Sequence, residues 1–302
     1  MENEHVSAID YIEASSDGKL YAVITRSSDN TTSTSIAELD FTGSNGTVSF
    51  TDEYALPTNW PSGDNTYYYI QTFCTDGTNF YFILLITSPE TSSYNLVSCT
   101  VSNSQLTETT SILLASTDES YTSPVFSNYG DALEYKDLCC INNKLYLLVR
   151  DVVTEGYTYS RGALCTFTVG DNGEIASDKI GIGYQKTPSY FPYTGSYDQA
   201  TDSYPTITRT AYIGDVDSKL FYGPVKFVAR KQDELIIADD GFSIEVEDYT
   251  SVSGHKQATV SSKNSVVTYN LNTESLNFVS LDGEYFENKY SGYFYSSGFF
   301  NQ

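Results

Sequence analysis

Enzyme chemistry needs a nucleophile beside a base, or a cluster of metal ligands, and this chain offers few places for either. It has two histidines, His5 and His255, in 302 residues. Neither falls in a GxSxG or HExxH setting, the patterns that bring a base or a metal to a reacting atom. The five cysteines are Cys74, Cys99, Cys139, Cys140 and Cys165. They lie in apolar runs that read as strands, with no base beside them, so covalent catalysis has no support. An odd number does not complete a disulfide framework. Cys74 and Cys99 fall on strands with a third strand between them, and so do Cys140 and Cys165. At ~4.8 Å per strand, each pair is too far apart for the Cα separation a disulfide tolerates. All five are expected to be buried free thiols that pack as small hydrophobes. Cys139-Cys140 lacks C-x2-C spacing, so no metal site and no cofactor is expected.

The 39 carboxylates would supply the acid pair of a glycoside hydrolase. So many acids also form pairs by chance, and the Ser-x-Asp-x-Gly-x-x-Trp box of sialidase propellers is absent. The lone Trp60 follows Pro57-Thr58-Asn59 in a connecting loop. Asp215-Val216-Asp217-Ser218 and Asp239-Asp240-Gly241 stop short of a calcium loop and read as turns at strand ends. The most distinctive stretch is residues 181–205, where proline and glycine forbid a regular element. Its tyrosines include Tyr190, Tyr193, Tyr197 and Tyr204. Tyrosine offers a flat apolar face with a polar tip, which suits a sugar ring or a protein hot spot. These four are the expected ligand contacts. The rival reading folds the same rings inward as anchors of the insertion.

A repeated turn must position such a loop. Ser16-Asp17-Gly18-Lys19-Leu20-Tyr21 is echoed by Thr75-Asp76-Gly77-Thr78-Asn79-Phe80, by Ile141-Asn142-Asn143-Lys144-Leu145 and, more loosely, by Gln232-Asp233-Glu234-Leu235. Asp-Gly and Asn-Asn supply the positive φ angles of tight hairpins. Apolar runs flank every copy. The first unit is expected to have strands at 11–14, 20–25, 35–41 and 47–50, and the second at 69–74, 80–86, 95–101 and 105–113. The third is expected at 136–141, 144–150, 162–169 and 174–180, and the fourth at 225–229, 234–238, 265–270 and 275–279. The loop holding His255 follows the second strand of that last unit. Gly18, Gly77, Asn143 and Asp233 lie 59, 66 and 90 residues apart. The last interval has room for another hairpin, over 206–221. Tandem four-stranded antiparallel units are the mark of a β-propeller. The expected fold is all-β: a single domain over 1–302 forming a propeller of about five, or six, blades, with the Tyr/Pro/Gly-rich insertion at 181–205. A two-sheet sandwich pair is the rival, and it leaves the repeated turn unexplained. The aromatic run 285–300 includes Tyr293-Phe294-Tyr295-Ser296, a candidate closing strand for the ring.

The stretch Gly223-Pro224-Val225-Lys226-Phe227-Val228-Ala229, then Asp233-Glu234-Leu235-Ile236-Ile237-Ala238-Asp239-Asp240-Gly241, then Val266-Val267-Thr268-Tyr269-Asn270-Leu271 resembles a blade of the bacterial NHL/YVTN-type propellers. There a proline-led inner strand precedes an "lyiaD-G" strand and a "v-v-yd" strand. The resemblance implies the propeller fold; partners vary widely among those families, so it implies little about function.

Net charge is −23. Phosphate backbones and anionic headgroups would repel such a chain, so nucleic acid and acidic membranes are poor partners. No segment approaches the ~20 apolar residues of a spanning helix, so direct insertion in a membrane is not expected. Residues 1–10 carry no apolar leader core. A Tyr/Ser/Thr/Asn-rich, Lys-poor balance reads as exported: secreted, periplasmic or surface-anchored. The functional expectation is a monomeric, non-catalytic module that binds a protein or a carbohydrate. The alternatives are a glycan-active hydrolase on the same scaffold and a structural envelope protein.

Overall fold

The computed structural model describes residues 5–15, 18–27, 32–41, 48–61, 65–117, 132–154, 158–184, 221, 223–231, 233–239, 243–249, 255–261 and 265–280. Every named element among them is a strand. The first set comprises β1 (His5–Ala14), β2 (Leu20–Ser27), β3 (Thr32–Asp40) and β4 (Ser49–Ala55). The second comprises β5 (Tyr67–Thr75), β6 (Asn79–Thr87), β7 (Ser92–Ser102) and β8 (Gln105–Ser116). Next come β9 (Ala132–Ile141), β10 (Lys144–Thr154), β11 (Thr158–Val169) and β12 (Ile175–Ile182). The last set is β13 (Pro224–Lys231), β14 (Glu234–Asp239), β17 (Ser265–Asn270) and β18 (Ser275–Ser280). A hairpin of β15 (Ser243–Tyr249) and β16 (His255–Ser261) interrupts it.

In every set, consecutive strands are neighbours in the sheet. The first two sets join into one eight-stranded sheet, ordered β1-β2-β3-β4-β8-β7-β6-β5. Their junction is a single parallel pair, Ala55 with Gln105. The sheet curves until its edge strands β1 and β5 approach one another. The chain divides into two compact units. One holds Met1–Ser127, Asp137–Leu147 and Cys165–Ile180; the other holds Asn128–Lys136, Leu148–Leu164 and Gly181–Gln302.

The repeated turns are where the sequence places them. Gly18 (φ 84°) and Gly77 (φ 92°) close the first hairpins of their sets. Asn142 (φ 52°) and Asn143 (φ 57°) close that of the third, the two positive angles of a type I′ turn. Asp76 fixes its turn with one carboxylate. Its Oδ1 accepts the Thr78 and Asn79 N–H groups at 2.8 and 2.7 Å. Its Oδ2 accepts the Asn79 side-chain amide at 3.0 Å and the Tyr81 hydroxyl at 2.8 Å. Burial opposes ionisation here, yet those four donors outweigh it and hold the carboxyl below its usual range.

The four four-stranded sets among the described residues correspond to the four aligned units. The extra hairpin expected over 206–221 lies outside the described residues except for Phe221. His255 was expected in a loop but opens β16, because 243–249 and 255–261 pair in full antiparallel register. Trp60 lies between β4 and β5, as expected, and is core, 4% exposed.

The first unit's core is aromatic. Tyr21 meets Phe80 edge-on at 5.2 Å, and Phe82 stacks on Phe73 at 6.0 Å. Trp60 packs edge-on against Phe82 at 5.4 Å and against Tyr68 at 5.2 Å. Its indole N–H donates to Glu108 Oε2 at 3.0 Å, which satisfies the one polar atom of the buried ring. Val23, Ile36, Leu56, Leu84, Val97, Cys99 and Leu106 complete the buried part of this cluster.

In the second unit, β14 alternates, burying Leu235, Ile237 and Asp239. Leu235 and Ile237 face their β17 partners Tyr269 and Val267. Buried Asp239 accepts the Gly223 N–H at 2.8 Å and so pins the start of β13. Close packing holds the neighbouring backbone. A Cβ on Gly162 would lie 2.2 Å from Pro224 Cδ, and the Gly162 N–H donates to the Phe221 carbonyl at 3.1 Å. Gly183, at φ +72°, leaves only 2.8 Å to Leu276 and Phe221. Among the described residues no helix is long and apolar enough to cross a membrane.

Two outcomes are expected. Gly162→Ala should lower stability by about 1–3 kcal/mol, the usual cost of overpacking. Gly170→Ala, whose Cβ would meet ordinary contacts at 3.7 Å, should be near neutral in the same denaturant titration. Asp76→Asn should cost at least about 1 kcal/mol at neutral pH. A depressed carboxyl stabilises the fold above the ordinary carboxylate range and ceases to as pH falls through its folded value. The gap between wild type and variant should therefore close in acid, as read by melting curves from pH 7 downwards.

Candidate functional site

The ligand residues expected from sequence, Tyr190, Tyr193, Tyr197 and Tyr204, lie outside the described residues. So do 215–218 and the aromatic run 285–300. Among the described residues no three His, Cys, Asp or Glu side chains are grouped to hold a metal. Asp239, half of the second acidic motif, is buried against the Gly223 N–H.

No disulfide joins any of the five cysteines, as the strand argument expects for Cys74 with Cys99 and Cys140 with Cys165. Register adds a second reason. Cys74 lies opposite Tyr81 and Cys99 opposite Phe80 across β6, so the two sulfurs point to opposite faces of the sheet. Cys74, Cys99 and Cys165 are buried, while Cys139 and Cys140 are only partly so, against the expectation of full burial. Burial raises the Cys74 pKa, helped by Cys140, Cys139, Glu13 and Asp137. Burial and then Asp76 push Cys140 up to about 12. Burial and then Glu108 raise Cys99. A thiol kept protonated is a poor nucleophile.

The anomaly lies on the first strands. Residues 9–12 of β1 are all exposed, and three of them are large and apolar: Ile9 at 49%, Tyr11 at 37% and Ile12 at 53%. On β5, Tyr67 and Tyr69 are each 53% exposed. Register explains the arrangement. Ile9 pairs with Ile24 and Ile12 with Ala22, while Tyr11 pairs with Val23. Both isoleucines therefore stand on the face of Ala22 and Ile24, and Tyr11 stands on the other. The shift between Ile9 and Tyr11 makes Asp10 the extra residue of a bulge. Thr25 donates its hydroxyl to Asp10 Oδ2 at 3.4 Å. Burial, then Asp10, raises the Tyr11 phenol pKa, so it stays neutral. On β5, Tyr68 turns inward onto Trp60, leaving Tyr67 and Tyr69 on the opposite face, across from Thr87 and Leu85.

A bulge recurs on β5, between Ile70 and Thr72, and on β13, between Pro224 and Lys226 and again between Phe227 and Ala229. Bulged first strands present side chains irregularly and blunt their open edges. Such a surface can bind by shape and contact area. Sequence reading missed it because the strands at 11–14 and 69–74 were expected to begin too late. The available signal was the run Tyr67-Tyr68-Tyr69, in which strand alternation sends one ring in and two out.

Residues 205–292 match the family model described as TdpA C-terminal domain. The match covers less than a third of the chain and spans β13 to β18. No curated protein matches the sequence.

Iodoacetamide at pH 8 should leave Cys74, Cys99 and Cys165 unmodified in the native protein. All five cysteines should be alkylated in denaturant without reductant, each adding one label by mass spectrometry. A mass two units low per pair would instead report a disulfide.

Proposed function

We propose that this chain is a non-catalytic binding module on an all-β scaffold, exported and monomeric, with a protein or carbohydrate partner. The observation that carries the reading is the pair Tyr67 and Tyr69. Both rings are half-exposed on a strand whose neighbour Tyr68 is clamped by Trp60. Tyrosine held on a rigid element gives contact area with little entropy left to lose on binding. The insertion tyrosines Tyr190, Tyr193, Tyr197 and Tyr204 are proposed as further contacts.

The finer architecture belongs to the same proposal. Four-stranded sets with equivalent first turns are read as blades of one propeller domain spanning 1–302, in keeping with the resemblance to NHL/YVTN-type repeats. Propeller blades stack face to face, which accords with strands that are apolar on both sides, such as β6 and β10.

A glycan array and a panel of purified extracellular proteins, probed with wild type and with Tyr67→Ser/Tyr69→Ser, test the binding reading. Exposed substitutions usually change stability by no more than ~0.5 kcal/mol, so the melting temperature should hold. Loss of anchors worth ~2 kcal/mol or more should weaken binding at least thirtyfold. Binding unchanged in this variant and in a four-fold Ala variant of the insertion tyrosines would overturn the assigned surface. No ligand on either panel would overturn the binding reading itself.

A further inference from the structure

We infer that the stretch Ile9-Asp10-Tyr11-Ile12-Glu13 of β1, exposed over residues 9–12, docks a cationic polypeptide that carries aliphatic side chains, an inference that rests on the binding reading above. Three features of the stretch select that chemistry. Ile9 and Ile12 share one face and are each about half exposed. Isoleucine has neither a flat ring for a pyranose nor a hydrogen-bonding group, so its complement is another aliphatic side chain. Between them, the bulge turns out Asp10, an exposed carboxylate whose one hydrogen bond among the described residues is the long contact from Thr25. Bulges re-aim single side chains in this way at functional sites.

Of the two neighbouring edge strands, β1 and β5, the first carries Asp10 and Glu13, and neither carries a lysine or arginine. The cations nearest in sequence are already engaged: Lys19 with Glu38 at 2.9 Å and Arg26 with Glu53 at 2.8 Å. The whole chain, at −23, adds long-range attraction for a basic partner. Charge would draw the partner in, and the isoleucines would hold it. An exposed run of this kind is otherwise a liability that sequences avoid.

The test uses the full chain and two fluorescent ten-residue peptides, one alternating Lys and Leu, the other alternating Lys and Ser. Wild type should bind the Lys-Leu peptide at least tenfold more tightly than the Lys-Ser peptide. Ile9→Ser/Ile12→Ser should abolish that preference. Asp10→Asn should weaken Lys-Leu binding about threefold at low salt, and the difference should vanish at high salt. Should the double serine variant fail to fold, Asp10→Lys serves in its place and should weaken binding at least tenfold. Equal affinity for both peptides, or for wild type and variants, would mean general attraction to a polyanion and would overturn the inference. No binding of the Lys-Leu peptide would overturn it too. A glycan or protein bound through Tyr67 and Tyr69 in that case leaves the broader binding reading standing.

Discussion

β6 is apolar on both of its faces, and the architecture follows from that. Phe80 and Phe82 point one way, Tyr81 and Ile83 the other, and all four are excluded from water. A four-stranded sheet with one such strand cannot leave a face open. It must be covered twice. One covering is visible in full: the aromatic cluster shared with Tyr21, Val23 and Ile36 of the first set. The set is thus joined to its neighbour by side chains far more than by backbone, since among the described residues one parallel pair links the two ladders. β10 repeats the demand with Leu145 to Val149, which are buried without alternation. Interior strands are therefore set by packing, and the first strands, with one free edge, carry the exposed surface.

Much of the scaffold was legible because its signals are local. Asp-Gly and Asn-Asn fix hairpins through positive φ, and the apolar runs on either side fix the strands. Fifteen or so residues of context suffice for that, and the expected strands of all four sets overlap the observed ones. The extra hairpin β15–β16 was missed for the same reason. Its strands mix Glu, Asp, Lys and Gln with short apolar residues, and no Gly-centred turn of the repeated kind announces it. The loop position of Trp60 was legible but its burial was not, because that depends on Phe82, Tyr68 and Glu108 from three other strands. Full ladder pairing and long-range burial are not properties of a window.

The candidate surface was less legible than the scaffold. Whether a tyrosine in a strand faces core or water depends on register, and a bulge shifts register by one residue. Ile9 and Ile12 would fall on opposite faces in an unbroken strand; the bulge at Asp10 brings them to the same one. No spacing rule in the sequence predicts where that extra residue falls. The cysteines were easier, since the strand count alone separates them. Their partial exposure at 139 and 140 was not, because it depends on what lies over the end of β9.

The chain has a single tryptophan, and it is wedged between two aromatic rings with a carboxylate on its indole nitrogen. Its emission is therefore a private reporter of the first compact unit. The 27 tyrosines dominate ultraviolet absorption across the whole chain, but only this indole can be excited selectively at the red edge. An unfolding curve followed by tryptophan emission and one followed by backbone dichroism watch different populations of residues. Where the two curves part company, the second unit has melted at its own temperature; where they coincide, the whole chain unfolds as one cooperative body.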